Sequence, residues 1–562
     1  MKKFIYNISI ALTGIIFFSC NDFLDKVPDN RAEINTPEQI SMLLINGYPD
    51  QNYSLIAELS GDNLIDNTSP SDEYGTRYNL ATYGRADDEA FAWESIVSNT
   101  QQDSPLAFWE GSYHGIAVAN HALKRIEELE AEGRGNELLG QKGEALLLRA
   151  FNHFNLINIF AKAYRNDSLS KQDPGVPYVT KVGNTVISSE PRNSVTEVYK
   201  LIEKDLLDGL ALIDNAKYAV TNYHFNKRAA CAFAARFYLF KRDYPKVIKY
   251  ATDAIGDAPA SYMRNWKVEL PTYESVVNWI IDPMSPNNFL LIATHSLTMR
   301  HYTGSRRYTC NREAAKATIF NPEPFIAGYR FHLCYVSKLF INGGGSEGID
   351  YGIYFPKAGE SFEFTNKVAG IGYPHVVRTE FTGEETLLCR AEAYIHQKDY
   401  TSAFADLNTW KLSRENLPVS YNFNKLTDSL ICSYYMKARY GIIKPLNMEK
   451  IDPNWKLTGD STEIAKQTAY LQCVLHFRRI ETIFDGFRWF DIKRYGIEIT
   501  HKIGLSRVET LTWDDPRRAL QIPSEIISAG MEPNNRVPSP TSAQDPPIQM
   551  KASMILNTSK NN

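Results

Sequence analysis

Positive charge is not in surplus in this sequence: 61 Lys and Arg stand against 65 Asp and Glu, a formal net charge of −4 at pH 7. A chain that gathers nucleic acid must present clustered cations that displace phosphate counterions, so no nucleic-acid partner is expected. Cysteine is scarce as well, with seven in 562 residues. Beyond Cys20, none of Cys231, Cys310, Cys334, Cys389, Cys432 and Cys473 stands in a C-x-x-C or other paired spacing. Cys231, Cys389 and Cys473 fall within helical apolar patterns and read as small core hydrophobes, not as zinc ligands or a disulfide framework; a bridge between distant positions is left open. The 11 histidines include no H-E-x-x-H and no pair at i, i+4, which removes the strongest metal signature. No cofactor is expected, and a structural cation is left open.

The apolar run at the start, Phe4 to Phe18, has 15 residues. That is short of the ~20 a spanning helix needs. Lys2 and Lys3 precede it, Ser19 and Cys20 follow it, and the polar Asn21 and Asp22 come next. This is the layout of a signal peptide whose cleavage-site cysteine takes up lipid, although Phe17 and Phe18 depart from the usual Leu-Ala/Ser of a lipobox. The competing reading is an uncleaved anchor with an incidental cysteine. Cleavage removes two lysines and no acid, taking the formal charge from −4 to −6. The expected organisation is a signal peptide over 1–20, a polar tether over 21–35 and a body over 36–562. The body divides into an N-terminal half at about 36–230 and a C-terminal half at about 231–562.

The body has ordinary globular composition, 43% hydrophobic and 22% charged, and is rich in rings, with 32 Tyr and 8 Trp. Helical periodicity dominates it. Trp109, Tyr113, Ile116, Asn120 and Leu123 mark one helix face, and Leu147, Ala150, Phe151, Phe154, Ile157 and Ala161 another. A third helix is expected over Val195–Ile213, with Ser194 as N-cap. An internal repeat is present: Ala235, Tyr238, Asp243 and Tyr244 superpose on Ala391, Tyr394, Asp399 and Tyr400 at one offset of 156. Each unit reads as helix, short Asp-Tyr turn, helix, the pattern of tetratricopeptide-type hairpins that bury their faces only by stacking. Trp109–Ile126 with Glu144–Ala161 suggests a further pair. The expected fold class is therefore mostly α, built on helix-pair repeats. Two stretches, about Asp62 to Phe108 and Tyr262 to Pro374, lack clean periodicity. Loops of that length inside a compact body are usually functional, and their aromatic content argues against disorder.

An ordered set of motifs then resembles one family. Cys20-Asn-Asp-Phe-Leu-Asp25 is followed by Gly143-Glu-Ala-Leu-Leu-Leu-Arg-Ala-Phe151, Gly175-Val-Pro-Tyr-Val179 and Pro191-Arg-Asn-Ser-Val-Thr-Glu-Val-Tyr199. Arg478-Arg-Ile-Glu481, Phe484-Asp-Gly-Phe-Arg-Trp-Phe-Asp-Ile-Lys-Arg494 and Ala519-Leu-Gln-Ile-Pro-Ser-Glu525 close the series. The order and content are similar to SusD/RagB-type outer-membrane lipoproteins, with departures at Asp485 (usually Glu) and Phe487 (usually His). The resemblance implies a SusD-like helical body with four tetratricopeptide-like pairs, docked on a SusC-like TonB-dependent barrel at the cell exterior. It implies a loop-held ligand and no enzymatic activity. Most relatives bind glycans, and RagB-like ones handle peptides. A surface glycoside hydrolase is the less favoured alternative.

Sugars stack their C–H faces on flat rings while Asn, Asp and Arg bond their hydroxyls. The first irregular segment offers Arg77, Tyr78, Tyr83, Trp93 and Asn99; the second offers Trp266, Tyr273, Trp279, Tyr302 and Tyr308. Both segments are expected to converge on one shallow site, although core burial is as good a reading for any single ring. Three other motifs are read as structural. The Arg478–Arg494 run is expected to be a buried ion-pair network and not an anion clamp. The glycines of Gly343-Gly-Gly-Ser-Glu-Gly348 are expected to form a turn, because extended chain and not a helix follows them. The acidic neighbours Asp87, Asp88 and Glu89, and Asp514 and Asp515, read as solvated loops; adjacency in sequence does not supply the set spacing of a glycosidase pair.

Overall fold

The structure is a computed structural model. It describes residues 34–70, 82, 84–97, 102–182, 191–215, 218, 220–266, 268, 270, 272–302, 306–318, 340–342, 352–414, 426–436 and 443–536. Its frame is a succession of long helices: α1 (Pro105–Ala131), α2 (Leu139–Phe160), α3 (Val195–Leu212), α4 (Lys227–Lys241), α5 (Tyr244–Ile255), α6 (Gly383–His396), α7 (Tyr400–Arg414), α8 (Ser461–Glu481) and α9 (Phe487–Tyr495).

Local chemistry starts these helices where the sequence places them. Ser104 accepts a hydrogen bond from the Ala107 N–H at 3.1 Å, and Pro105 takes the first helical position of α1, where no N–H is needed. Ser194 and Glu197 form a reciprocal capping box at the start of α3. Between α2 and α3 a glycine pair sets the approach. A Cβ on Gly143 would lie 2.8 Å from the Ile213 nitrogen, and one on Gly209 would lie 2.8 Å from the Gly143 oxygen. Arg149 of α2 then locks the crossing with two bonds to Asp205 of α3, at 2.7 and 2.8 Å.

The 156-residue repeat is visible in the backbone. Both hairpins turn through a left-handed non-glycine residue, Arg242 at φ 65° and Lys398 at φ 61°, which stand at that same offset. Asp243 donates its N–H to the Tyr238 carbonyl at 2.9 Å, and Asp399 does the same to Tyr394 at 2.9 Å. Each Asp then caps the second helix, Asp243 accepting from Lys246 N–H and Asp399 from Ser402 N–H. Ala235 and Ala391 are fully buried, where a small residue lets the paired helices approach. α5 packs against α6, so the two hairpins stack on each other, and one contiguous apolar core runs from Ile40 to Ile526.

The second irregular stretch holds more regular structure than its sequence suggests. β2 (Asn288–His295), β6 (Glu360–Asn366) and β7 (Ile371–Thr382) form an antiparallel sheet in the order β2-β7-β6. β2 carries a run of five buried residues, a pattern that periodicity alone cannot separate from a buried helix turn. β4 (Phe340–Asn342) pairs with β5 (Gly352–Tyr354), so a strand does follow the glycine run. The glycines themselves lie outside the described residues, as do Cys20, nearly all of the tether and Cys334. The five described cysteines form no disulfide; four are buried and Cys432 is half-buried. Among the described residues no helix is long and apolar enough to cross a membrane.

Candidate functional site

The two irregular segments meet. Strand β1 (Ile65–Asp66) of the first pairs antiparallel with β3 (Tyr308–Thr309) of the second. Arg307 bridges them: its Nη2 lies 2.8 Å from Asp66 Oδ2, and its Nη1 lies 3.0 Å from Asp88 Oδ1. The Tyr308 hydroxyl donates to the same Asp88 oxygen at 2.6 Å. Asn67 donates to the Arg306 carbonyl at 3.0 Å and the Thr309 hydroxyl at 2.7 Å. His301 and Asp87 lie 2.8 Å apart. Asp103 accepts from the Ser296 hydroxyl at 2.6 Å and the Leu297 N–H at 2.7 Å.

Electrostatics hardens this frame. Burial pushes the Asp66 carboxyl upward, but hydrogen bonds from Arg307 and Thr68 outweigh it and leave Asp66 below its ordinary range. Asp88 stands above its ordinary range because burial outweighs Tyr308 and Arg307. Asp103 is likewise raised, chiefly by burial. A half-exposed arginine shared by two carboxylates cross-links the segments through directed bonds that sliding would break.

The ring residues singled out in the sequence fall into two groups. Trp93, His501, Phe91 and Tyr308 form a continuous stack, with successive centroids 4.2, 4.1 and 4.4 Å apart. Trp93 from the first segment and Tyr308 from the second are thus joined through Phe91 and the imidazole of His501. The second group is Trp266 and Trp279. Trp266 meets Trp279 edge-on at 5.3 Å, and the Arg414 guanidinium lies 4.1 Å from the Trp266 ring centre. Tyr302 packs on Phe484 at 4.8 Å.

Burial separates these residues by role. Trp93, Trp266, Tyr302 and Tyr308 are all less than 5% exposed, so none of the four offers an open ring face in this structure. The Trp93 indole N–H is spent on the Ser60 carbonyl at 2.9 Å. Their positions match the core reading, because a large ring in a loop is the cheapest way to anchor that loop to a helical body. Tyr273 and Trp279 are half-buried and keep part of their surface in solvent. Arg77, Tyr78, Tyr83 and Asn99 lie outside the described residues.

The carboxylates weighed as a hydrolytic pair are engaged elsewhere. Asp87 faces His301, Asp88 faces Arg307 and Tyr308, and Glu89 pairs with Arg85 at 2.9 Å. Asp515 is held by Arg517. Asp514 is exposed, as its spacing suggests, but the others are not solvated acids, and for Asp87 and Asp88 the missing signal was partners more than 200 residues away.

The Arg478–Arg494 run is inside the protein. Arg478 and Arg494 converge on Glu392 and Asp491, at distances from 2.7 to 3.6 Å, and both carboxylates are fully buried. Asp485 pairs with Lys357 at 2.7 Å, and Phe487 lies under the Arg236 guanidinium at 4.4 Å. Gly486 sits at φ 82°, with Ala57 Cβ 2.8 Å from where its own Cβ would be. That close approach lets Glu58 accept from the N–H groups of Phe484 and Gly486, and burial lifts Glu58 to about 7. The motif is therefore a structural knot that ties α8 and α9 to the N-terminal helices.

The body is thus a stack of helix pairs with two convergent, ring-anchored loop segments. Residues 22–239 match the SusD-like family described as starch-binding and associating with the outer membrane. No curated protein sequence matches the chain. Among solved structures, a SusD superfamily protein from Bacteroides thetaiotaomicron is 18% identical with a TM-score of 0.58, covering 89% of this chain and 100% of its own. One from Bacteroides fragilis is 16% identical with a TM-score of 0.59, covering 88% and 97%. A SusD-like carbohydrate-binding protein from Bacteroides vulgatus is 17% identical with a TM-score of 0.51, covering 85% and 89%. The family match covers the N-terminal part of the chain, and the solved structures share its fold over most of its length.

Proposed function

We propose that this protein is a surface lipoprotein that captures oligosaccharides and hands them to a SusC-like TonB-dependent barrel, with no catalytic step of its own. It is anchored in the outer membrane through Cys20 and faces the cell exterior. The observation that carries the binding half is the convergence of the two irregular segments on the frame of Asp66, Asp88, Arg307 and Tyr308. The sequence adjoining that frame supplies Arg77, Tyr78, Tyr83 and Asn99, the ring and hydrogen-bonding chemistry that saccharide recognition uses. Tyr273 and Trp279 keep ring surface in solvent on the second segment. The non-catalytic half is supported by the engagement of Asp87, Asp88 and Glu89 with partners of their own, so that no two of them face each other across a space for a glycosidic bond.

The test is a glycan and peptide binding screen on the purified protein, with recovery of the ligand afterwards. Binding of an oligosaccharide that is recovered unchanged is the expected result. Binding confined to peptides would move the protein to the RagB-like reading, and cleavage of the ligand would overturn the non-catalytic half. Purification of a barrel together with the protein from outer membranes checks the transport half.

A further inference from the structure

We propose that the cleft walled by Trp513 is a second ligand site, shaped for the carboxylate and ring face of an acidic sugar unit such as a uronic acid. The proposal rests on the reading of the chain as a saccharide-binding protein, and it concerns a place apart from the Asp66–Arg307 frame. The cleft forms where the segment after α2, the end of α9, the short helix Met448–Ile451 and the turn after β9 (Arg507–Leu511) come together.

Its two most buried cations have no carboxylate in contact among the described residues. Lys493 is 5% exposed, and its ammonium donates to the carbonyls of Asn158 at 2.5 Å and Ala161 at 2.7 Å. An ammonium carries three N–H bonds, and the third meets no acceptor among the described residues. Arg518, also 5% exposed, donates only to the carbonyls of Thr512, Ile492, Ile497 and Leu511. Among the described residues neither cation has a carboxylate within ion-pair distance. Two more lining cations share one acid: Asp173 lies 3.5 Å from Lys162 and 2.6 Å from Arg165.

The lining carboxylates Asp515 and Asp514 act on Arg518 from a distance and leave Lys493 without an acid beside it. Asp515 is held by Arg517, and Asp514 accepts from the Thr512 hydroxyl at 3.0 Å. Capping of helix ends explains where Lys493 and Arg518 point. It does not explain two buried ions, since a helix C-terminus offers only about half an elementary charge. The Trp513 ring is half-buried and has neither an aromatic nor a cationic neighbour stacked on it among the described residues. A flat ring beside an unneutralised ammonium matches the two ends of a uronate: its C–H face and its carboxylate. Burial, with Arg518 adding repulsion, brings Lys493 down to about 7, so an arriving carboxylate draws a proton onto the lysine near neutrality.

Calorimetry on the detergent-solubilised full-length protein tests this with glucuronate oligomers and their methyl esters, which keep the ring and lose the charge. The free acid should bind about tenfold or more tightly than the ester, with proton uptake near pH 7.5 that depends on the ionisation heat of the buffer. Trp513→Ala should weaken the acid by about tenfold, and Lys493→Met should abolish proton uptake. Trp513 is half-exposed, so its variant is expected to fold and keeps the test decisive if Lys493→Met does not. Equal binding of acid and ester, indifference to Trp513→Ala, or no binding of the acid at about 10 mM would each overturn the proposal. Loss of acid binding in Trp513→Ala while a neutral oligosaccharide still binds supports a separate site. Failure of every neutral glycan to bind while the acid binds would sink the preceding section's reading and leave this one standing.

Discussion

Replacing Arg494 by alanine isolates the knot that holds α8 and α9 to α6. Its guanidinium reaches Glu392 at 2.8 and 3.2 Å and Asp491 at 2.7 Å, and it lies 5.1 Å from the Phe240 ring centre. Both carboxylates are fully buried, and burial by itself pushes Glu392 up; Arg494 and Arg478 outweigh it and hold Glu392 below its ordinary range. Removing Arg494 leaves one guanidinium, that of Arg478, for two buried carboxylates. Breaking a buried pair in this way costs about 3–5 kcal/mol, most of it the penalty of the charge left behind. Unfolding entropy of about 2.1 cal/mol/K per residue gives a body of this size about 1 kcal/mol per kelvin. The melting midpoint should therefore fall by about 3–5 °C. Glu392→Gln combined with Arg494→Met should cost less than the two single changes added, by about 0.5–3 kcal/mol, because each single change strands the other's charge. Thermal scanning followed by ligand titration reads both quantities. An Arg494→Ala protein that melts like the parent but no longer binds ligand would refute the structural account and restore the anion clamp.

Cys20→Ala should move the protein from the membrane fraction to the soluble fraction, and unchanged lipid labelling of the variant would disprove the anchor. Trp93→Ala should lower stability by about 3–5 kcal/mol, because it empties a buried stack. Tyr83→Ala should instead weaken glycan binding by about 1–3 kcal/mol, by analogy with ring–base stacking, and leave the melt unchanged; the reverse pattern would reassign both rings. His153 gives a pH dependence. Burial takes it down to about 3, and its neutral form fits the site, with Nδ1–H toward the Arg149 carbonyl and Nε2 accepting from the Val179 N–H. A histidine pKa depressed in the fold contributes stability that is full above 6.5 and lost as pH falls below it, by about 1.4 kcal/mol per unit. His153→Gln should flatten that slope between pH 6.5 and 4, and parallel curves for parent and variant would disprove it.

What the sequence determined by itself was everything carried by spacing along one helix or across one turn. The faces led by Trp109 and Leu147, the cap at Ser194 and the repeat at Ala235 and Ala391 depend on groups three or four residues apart, or on copies of one local pattern. Tertiary structure alone decided the rest. Whether Trp93 or Trp266 shows its face to solvent depends on His501 and Arg414, which lie 408 and 148 residues away. The same holds for Asp87 and Asp88, exposed acids by adjacency but partnered once His301 and Arg307 arrive. Lys493 makes the point in the other direction. Inside a run of charged residues it looks like one more member of a network, yet the fold aims it at the carbonyls of Asn158 and Ala161 at the end of α2. Local periodicity sets which groups a helix can present, but the free energy of a ring or an ion depends on what surrounds it, and that is assembled from distant parts of the chain.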